Sequence, residues 1–186
     1  MSIKKITAMY FSATGTTKKI CETIADEIAK RAGCEKNTYD FTLKENREGF
    51  PEFTGEELVI FGTPTYAGRV PNVLLKYLDT IIGNGALAVP VVLFGNRNYD
   101  DSLIELRDIL ETHGFKTIAA GAFVGEHSFS KILAEGRPDA DDIKEALGFA
   151  DDIYKKISEG TFMNPVAVKG EEPIRPYYQP RDRKGN

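Results

Sequence analysis

Short apolar segments alternate with helical patterns along most of this chain. The apolar segments are rich in Val, Ile, Leu and Phe and are hydrophobic on both faces, which is typical of central strands in a parallel sheet. The alternation predicts an α/β fold, a doubly wound five-stranded parallel sheet with helices on both faces. We predict strands over residues 3–11, 35–41, 58–61, 89–94 and 115–124, and helices over 16–31, 73–81, 102–113 and 140–158.

Two prolines affect the predicted strand ends. Proline has no amide hydrogen to donate to a central ladder. We therefore predict that the third strand stops at Gly62-Thr63-Pro64, and that Pro90 is tolerated only at the entrance of the fourth strand. In the last helix, we expect Ile143, Leu147, Ala150 and Ile157 to face inward.

The strand order predicts where a ligand would bind. In open parallel sheets ligands bind outside the carboxyl ends of the strands, at the point where the strand order reverses. We expect the strand order 2-1-3-4-5, which is common in doubly wound sheets, and in this order the point lies between the first and third strands. Three loops rich in Gly, Thr, Asn and Tyr meet at this edge, namely residues 12–17, 63–71 and 95–100. We expect them to form one site.

The first of these loops is a candidate phosphate cradle, because it joins a buried strand directly to a helix. The amides at a helix N-terminus have no intrahelical partner and carry partial positive charge. Gly15 permits close approach of the backbone to an anion. The loop lacks both the Walker-type G-x-x-x-x-G-K-[ST] pattern and G-x-G-x-x-G, so we predict a site for a single phosphate monoester. Side-chain donors come from Ser12, Thr14, Thr16 and Thr17.

Composition narrows the class of partner and the compartment. A formal net charge of -4 disfavours binding to nucleic acid or an anionic membrane, and suits docking to basic partner surfaces. Without a long apolar run or a signal-like N-terminus, we expect no membrane span and a cytoplasmic protein.

The cysteines and the acidic pairs argue against metal sites. With only Cys21 and Cys34 present, thirteen positions apart, a C-x-x-C pair and a four-cysteine iron–sulfur site within this chain are excluded. Adjacent Asp pairs at 100–101, 141–142 and 151–152 are interpreted as helix caps and solvated faces, and we predict no metal site.

The three loops together resemble the FMN-binding loops of flavodoxins. They read SATGTT at residues 12–17, GTPTYAG at 62–68 and GNRNYD at 95–100. The finer pattern YAGRVP at 66–71, with His127-Ser128 ahead of GRPD at 136–139, resembles the flavodoxin module that anaerobic bacteria fuse to a two-cluster ferredoxin. That resemblance runs from about residue 3 to 176. The cysteine-rich ferredoxin half of those fusion proteins has no counterpart in this sequence. The chain is therefore either a stand-alone relative or one cut at the linker. We expect an FMN-binding domain over 1–160 and a Pro-rich tail or linker over 161–186.

The resemblance implies FMN as the cofactor and assigns roles within the loops. The hydroxyls and backbone amides of residues 12–17, which include Ala13 and Gly15, would hold the phosphate. Tyr99 would stack on the isoalloxazine ring, with Tyr66 as the second ring contact. The Ala67-Gly68 peptide occupies the place where a flavodoxin carbonyl can turn toward flavin N5–H, and Gly tolerates the positive φ this needs. Backbone groups of residues 96–99 would contact the pyrimidine edge. The other expected cofactor contacts are Thr63, Pro64, Thr65, Arg69, Gly95, Asn96, Arg97 and Asp100.

Arg69 and Arg97 depart from the acidic surroundings of flavodoxins that reach very low potentials. A guanidinium near the flavin pyrimidine would stabilise anionic reduced flavin. A unit charge at about 5 Å contributes roughly 3 kcal/mol at an effective dielectric constant near 20, or about 0.1 V for one electron. We therefore predict a less negative potential for the second electron than in an acidic flavodoxin.

Three functions are compatible with this fold. The first is an FMN-binding electron carrier that serves redox partner proteins, among them a ferredoxin-type iron–sulfur domain, and it requires no catalytic side chain. The second is an FMN-dependent NAD(P)H oxidoreductase that acts on a quinone, a flavin or another small acceptor. A flavin-free receiver domain would need acidic residues at the end of the first strand, where Met9, Tyr10 and Phe11 stand instead. His127 is either a loop-packing residue or a proton donor.

Overall fold

A computed structural model describes residues 3–130 and 132–177. Its centre is a parallel sheet in the order β2-β1-β3-β4-β5, and β6 pairs with β4 beyond β5. This confirms the predicted order 2-1-3-4-5, with the fifth strand divided in two. The strands are β1 (Lys5–Tyr10), β2 (Glu35–Asp40), β3 (Glu57–Pro64), β4 (Leu87–Phe94), β5 (Lys116–Thr117) and β6 (Gly121–Val124).

Helices cover both faces of the sheet, as predicted. The helices are α1 (Thr16–Ala32), α2 (Asn72–Leu78), α3 (Ser102–Thr112) and α4 (Ala140–Glu159), and a short 3-10 helix occupies Lys44–Arg47. Apolar side chains of α1 and α4 pack on one face, and those of α2 and α3 pack on the other. The prediction that Leu147 faces inward is wrong: it is 37% exposed, and Ile153 is buried in the α4 core face instead. No helix in the described ranges is long and apolar enough to cross a bilayer.

The third strand stops within the predicted Gly62-Thr63-Pro64 segment, although it extends beyond the predicted residues 58–61, whereas the prediction for Pro90 is wrong. Pro64 ends β3 and pairs with Leu93, but β1 ends at Tyr10 opposite Gly62, so the missing amide of Pro64 lies beyond the end of β1. Pro90 lies inside β4. The backbone of Pro90 faces the side of β4 that pairs with β5 and β6, where the carbonyls of Ala88 and Phe94 accept hydrogen bonds. The gap between β5 and β6 lies opposite Pro90, so no strand there needs its missing amide. A proline is accommodated wherever the neighbouring strand leaves a gap.

Residues 161–177, which we call the strap, run over the surface of the domain near α3. The amide of Val166 donates to the Thr117 carbonyl at 3.1 Å, and Arg107 Nη2 lies 2.9 Å from Glu172 Oε1. The predicted tail is thus packed on the domain over its described part. Its remaining residues, 178–186, lie outside the described residues, and the domain boundary at residue 160 stays a prediction.

Candidate cofactor site

A cleft lies at the carboxyl edge of the sheet, where the sequence predicted a ligand site. It consists of two adjoining cavities of about 580 Å³ and 510 Å³. Cavities of a few hundred cubic ångströms are typical of cofactor sites. The larger cavity reaches the N-terminus of α1, and the smaller one reaches Gly68 and Asp100. Both are lined by Thr65, Ala67, Phe94, Gly95, Arg97 and His127.

The N-terminus of α1 supplies hydrogen-bond donors to one end of the cleft. Thr14 and Thr16 line the larger cavity, and their Oγ1 atoms are 3.2 Å apart. Gly15 has φ +86°, which turns the chain into the helix. Within the described part of the chain, the amides of Thr14, Thr16 and Thr17 have no acceptor. Free amides beside two hydroxyls form a cradle that fits a phosphate.

Two of the four hydroxyls predicted to bind phosphate belong to residues that do not line the larger cavity and have contacts of their own. Ser12 Oγ accepts a hydrogen bond from the amide of Lys18 at 2.9 Å, so it caps the start of α1. Thr17 is buried, and its methyl group would lie 2.8 Å from a Cβ added at Gly62. Thr14 and Thr16 are thus the two predicted hydroxyl residues that line the larger cavity, and the phosphate roles of Ser12 and Thr17 stay predictions. Ala13 and Gly15 contribute backbone only and do not line either cavity.

The second predicted loop forms a tight turn at one wall of the cleft. The amides and carbonyls of Tyr66 and Arg69 are paired at 2.9 and 3.0 Å. Ala67 and Gly68, with φ +50° and +78°, form the centre of this turn, which is the type I′ geometry. Tyr66 is 44% exposed and lines the larger cavity, in agreement with a flavin contact. Pro64 and Thr65 also line the cleft, whereas Thr63 is buried.

The aromatic ring expected from the third predicted loop is not in the cleft, and a ring from the end of β4 lies there. Tyr99 lines neither cavity, because its ring packs edge-on against Phe94 at 5.4 Å and joins the core on the α2 and α3 face. Phe94 lines both cavities in its place. Gly95 and Asp100 line the cleft as predicted, but Asn96 does not. The stacking role predicted for Tyr99 is not supported by this position.

Only one of the two arginines reaches the cleft. Arg69 is buried and donates from Nε and Nη2 to the Glu105 carboxylate at 2.9 and 2.6 Å. This pairing raises the pKa of its guanidinium further above the usual value. Arg97 lines both cavities and has no hydrogen-bond or ion-pair partner among the described residues. The prediction of a cation near the flavin therefore depends on Arg97, which shares the cleft walls with Asp100 and Glu126.

A fourth loop, residues 125–129, completes the cleft, and none of its residues was among the predicted cofactor contacts, although His127 was considered as a loop-packing residue or a proton donor. His127 Nδ1 accepts a hydrogen bond from the Phe129 amide at 3.1 Å, so a neutral imidazole carries its proton on Nε2. Its ring lies against Gly95, where an added Cβ would be 2.5 Å from His127 Cδ2. The sequence feature that could have indicated this loop is its position directly after the last predicted strand, which places it at the carboxyl edge of the sheet. The larger cavity is also lined by Leu93, Gly125, Glu126, Ser128 and Phe129, and the smaller one by Asn98.

Comparison with known proteins shows similarity to a flavodoxin domain and to solved structures of the same fold. A flavodoxin domain model matches residues 8–96, which include the cradle and the turn. A flavodoxin from the domain Archaea is 15% identical with a TM-score of 0.58, and covers 83% of this chain and 99% of its own. Flavodoxin 1 from Bacillus cereus is 19% identical with a TM-score of 0.59, and covers 82% and 98%. A flavone reductase is 11% identical with a TM-score of 0.60, and covers 89% and 66%. No curated protein matches significantly.

The chain therefore contains a flavodoxin-like domain. At these identities the structural matches show the fold, and the matched flavodoxin domain implies FMN as the cofactor. The residues present fit FMN, because the cleft joins a cradle of free amides to a wider cavity lined by the aromatic side chains of Tyr66, Phe94 and Phe129. Among the described residues no group of three or more potential metal ligands occurs.

Proposed function

We propose that this protein is an FMN-binding electron-transfer protein that carries electrons between redox partners in the cytoplasm. The single observation that carries the proposal is the cleft, in which free amides of Thr14 and Thr16 face the same cavity as Tyr66 and Phe94. Bound FMN supplies one-electron and two-electron redox chemistry. The polypeptide binds it, limits its access to water and sets its potential.

Each wall of the cleft has a separate task in this proposal. Thr14 and Thr16 hold the phosphate with backbone amides and hydroxyls. Tyr66 and Phe94 provide apolar ring surface for the isoalloxazine. The Ala67-Gly68 peptide, held in the left-handed region, presents a polar backbone group to the flavin. Arg97 brings positive charge to the cleft.

The surface beside the cleft suits a protein partner. Phe129, at the rim of the larger cavity, is 96% exposed. The net charge of -4 favours approach to a basic partner. On separate grounds, we propose a ferredoxin-type iron–sulfur protein as one redox partner. This choice follows the likeness of residues 66–71 and 136–139 to flavodoxin modules that anaerobic bacteria fuse to ferredoxins.

A second candidate function is favoured by His127, whose Nε2 can donate a proton in the cleft. That arrangement suits an FMN-dependent NAD(P)H oxidoreductase that acts on a quinone, a flavin or another small acceptor. Arg97 would then attract an anionic substrate or nicotinamide phosphate. The electron carrier remains our first choice, because the cleft as built needs nothing beyond FMN to fill it.

One anaerobic experiment separates the two functions. FMN-loaded protein is mixed first with NADH or NADPH and then with a chemically reduced ferredoxin, and absorbance near 450 nm is followed. The carrier proposal predicts bleaching by ferredoxin alone. Rapid bleaching by a nicotinamide, with turnover on added quinone, would select the oxidoreductase. Protein that takes up no FMN would contradict both.

We expect Arg97→Gln to make the potential for the second electron more negative. Loss of a unit charge about 5 Å from the flavin removes roughly 3 kcal/mol of stabilisation at an effective dielectric constant near 20, or about 0.1 V. The measurement is a spectroelectrochemical titration. Lys76→Gln, which removes the same charge from an exposed position on α2 outside the cleft, is the control and should leave the potential unchanged. An unchanged potential in Arg97→Gln would contradict the assignment.

A further inference from the structure

A buried carboxylate on α3 holds the segment that follows the cleft turn. Glu105 accepts hydrogen bonds from Arg69 Nε and Nη2, from the Val70 amide at 2.8 Å and from the Tyr177 hydroxyl at 2.7 Å. Arg69 closes the Tyr66–Arg69 turn and Val70 follows it. The turn is therefore fixed from behind by α3, while Tyr66, Ala67 and Gly68 line the cleft in front.

The strap completes this arrangement from the other side. The Tyr177 ring lies 4.0 Å from the Arg69 guanidinium carbon, which is a cation–π contact. The Tyr177 hydroxyl is also 2.9 Å from the Val70 carbonyl, and the Arg175 carbonyl accepts a hydrogen bond from Arg69 Nη1. Burial and the bond to Glu105 raise the pKa of Tyr177 well above its usual value, so its hydroxyl remains a donor. Arg69 is thus enclosed between Glu105 and the strap.

A second anchor joins the strap to the turn through Asp101. The Asp101 amide donates to the Gly68 carbonyl at 3.0 Å. The buried Asp101 carboxylate accepts from Arg175 Nε at 3.0 Å and from the Glu171 amide at 3.3 Å. Asp101 thus contacts the turn with its backbone and the strap with its side chain. The strap is connected to the cleft wall at two points, Glu105 and Asp101.

We propose that the strap completes the cofactor site, with Glu105 and Tyr177 as positioning residues that hold the Tyr66–Arg69 turn against the bound flavin. This inference rests on the proposed binding of FMN. Neither residue touches the cleft, so both act through the turn. Because the turn is fixed by the strap on one side and contacts the ligand on the other, docking of the strap and binding of the cofactor favour each other. This coupling is reciprocal.

The first test is hydrogen exchange of the full chain, followed by mass spectrometry with and without FMN. Reciprocal coupling predicts that FMN slows exchange in a peptide covering residues 166–177, although this peptide lies behind the turn. A strap that only stabilises the fold predicts equal exchange in the two states at a protein concentration and temperature where the apoprotein is fully folded. Equal exchange in protein that does bind FMN would overturn this inference and leave the proposed function intact.

The second test is a pair of variants that each remove one hydroxyl. We expect Tyr177→Phe to raise the FMN dissociation constant about fivefold, since only part of the free energy of the lost hydrogen bond reaches the ligand through the turn. Tyr154→Phe, on α4 and outside the cleft, is the matched control and should bind like the parent. Exchange in the 166–177 peptide should rise in Tyr177→Phe only. Parental affinity in Tyr177→Phe with a released strap would overturn the inference, and a parent that binds no FMN would contradict the proposed function itself.

Discussion

Thr14→Asp should weaken FMN binding about a thousandfold. Thr14 lines the larger cavity beside the free amides of α1, so the new carboxylate would face the phosphate. Two unit charges about 4 Å apart repel by roughly 4 kcal/mol at an effective dielectric constant near 20, which is about three powers of ten in affinity. The measurement is a titration of the apoprotein with FMN, followed by quenching of flavin fluorescence.

The fold should tolerate this change, so that the loss can be assigned to binding. Thr14 is exposed, its side chain bonds to Thr16 alone among the residues that the structure describes, and a carboxylate near a helix N-terminus is favourable. Thr38→Asp, on the exposed edge strand β2, introduces the same charge outside the cleft and should bind FMN like the parent. Equal affinities for the two variants would show that the phosphate does not lie at Thr14.

Gly62→Ala should have the largest effect on stability, with a loss of about 3 kcal/mol. Gly62 lies in β3, where α1 crosses the sheet at close range. An added Cβ would overlap Cys21 Sγ and lie 2.8 Å from Thr17 Cγ2, and both side chains are buried. Relief of the clash requires α1 to move away from the sheet, and its N-terminal cradle would move with it. Urea unfolding should show a lower midpoint, and FMN affinity should fall as well.

A matched glycine separates the clash from the general effect of the substitution. Gly148 lies on α4, with no atom within 4 Å of an added Cβ. Gly148→Ala should raise stability by about 0.5–1 kcal/mol, because Ala favours a helix over Gly. Adding Cys21→Ala to Gly62→Ala should restore part of the loss, since it removes the sulfur from the overlap. A Gly62→Ala variant as stable as the parent would contradict the close approach of α1 and β3.

The sheet and the cradle could be predicted from sequence because their signals are local. Each strand is a short apolar segment, and the cradle follows β1 directly, so pattern and position are sufficient. The interrupted fifth strand could not be predicted in this way. Pro90 is accommodated because the chain leaves β4 between β5 and β6, and that gap is a property of the neighbouring strand rather than of the sequence around Pro90.

Side-chain directions in the cleft required the structure. Arg69 and Arg97 are alike in sequence, but Arg69 meets Glu105, which is 36 positions away in the chain. Tyr99 packs against Phe94 rather than into the cleft, and the fourth loop reaches the cleft only because β6 ends at the same edge. These are long-range contacts between elements, which local periodicity does not encode. Because of these contacts, the expected site consists of four loops instead of three, and the strap packs against the side of the Tyr66–Arg69 turn that faces away from the cleft.

The central claim is that the cleft binds one FMN through its phosphate. The most direct measurement is isothermal titration calorimetry of the apoprotein with FMN and, separately, with riboflavin, which has the same ring but no phosphate. The structure predicts one FMN per chain and an affinity for riboflavin at least a hundredfold lower, because a charge-assisted set of hydrogen bonds at the α1 N-terminus is lost. Equal affinity for the two flavins, or no binding of either, would contradict the account.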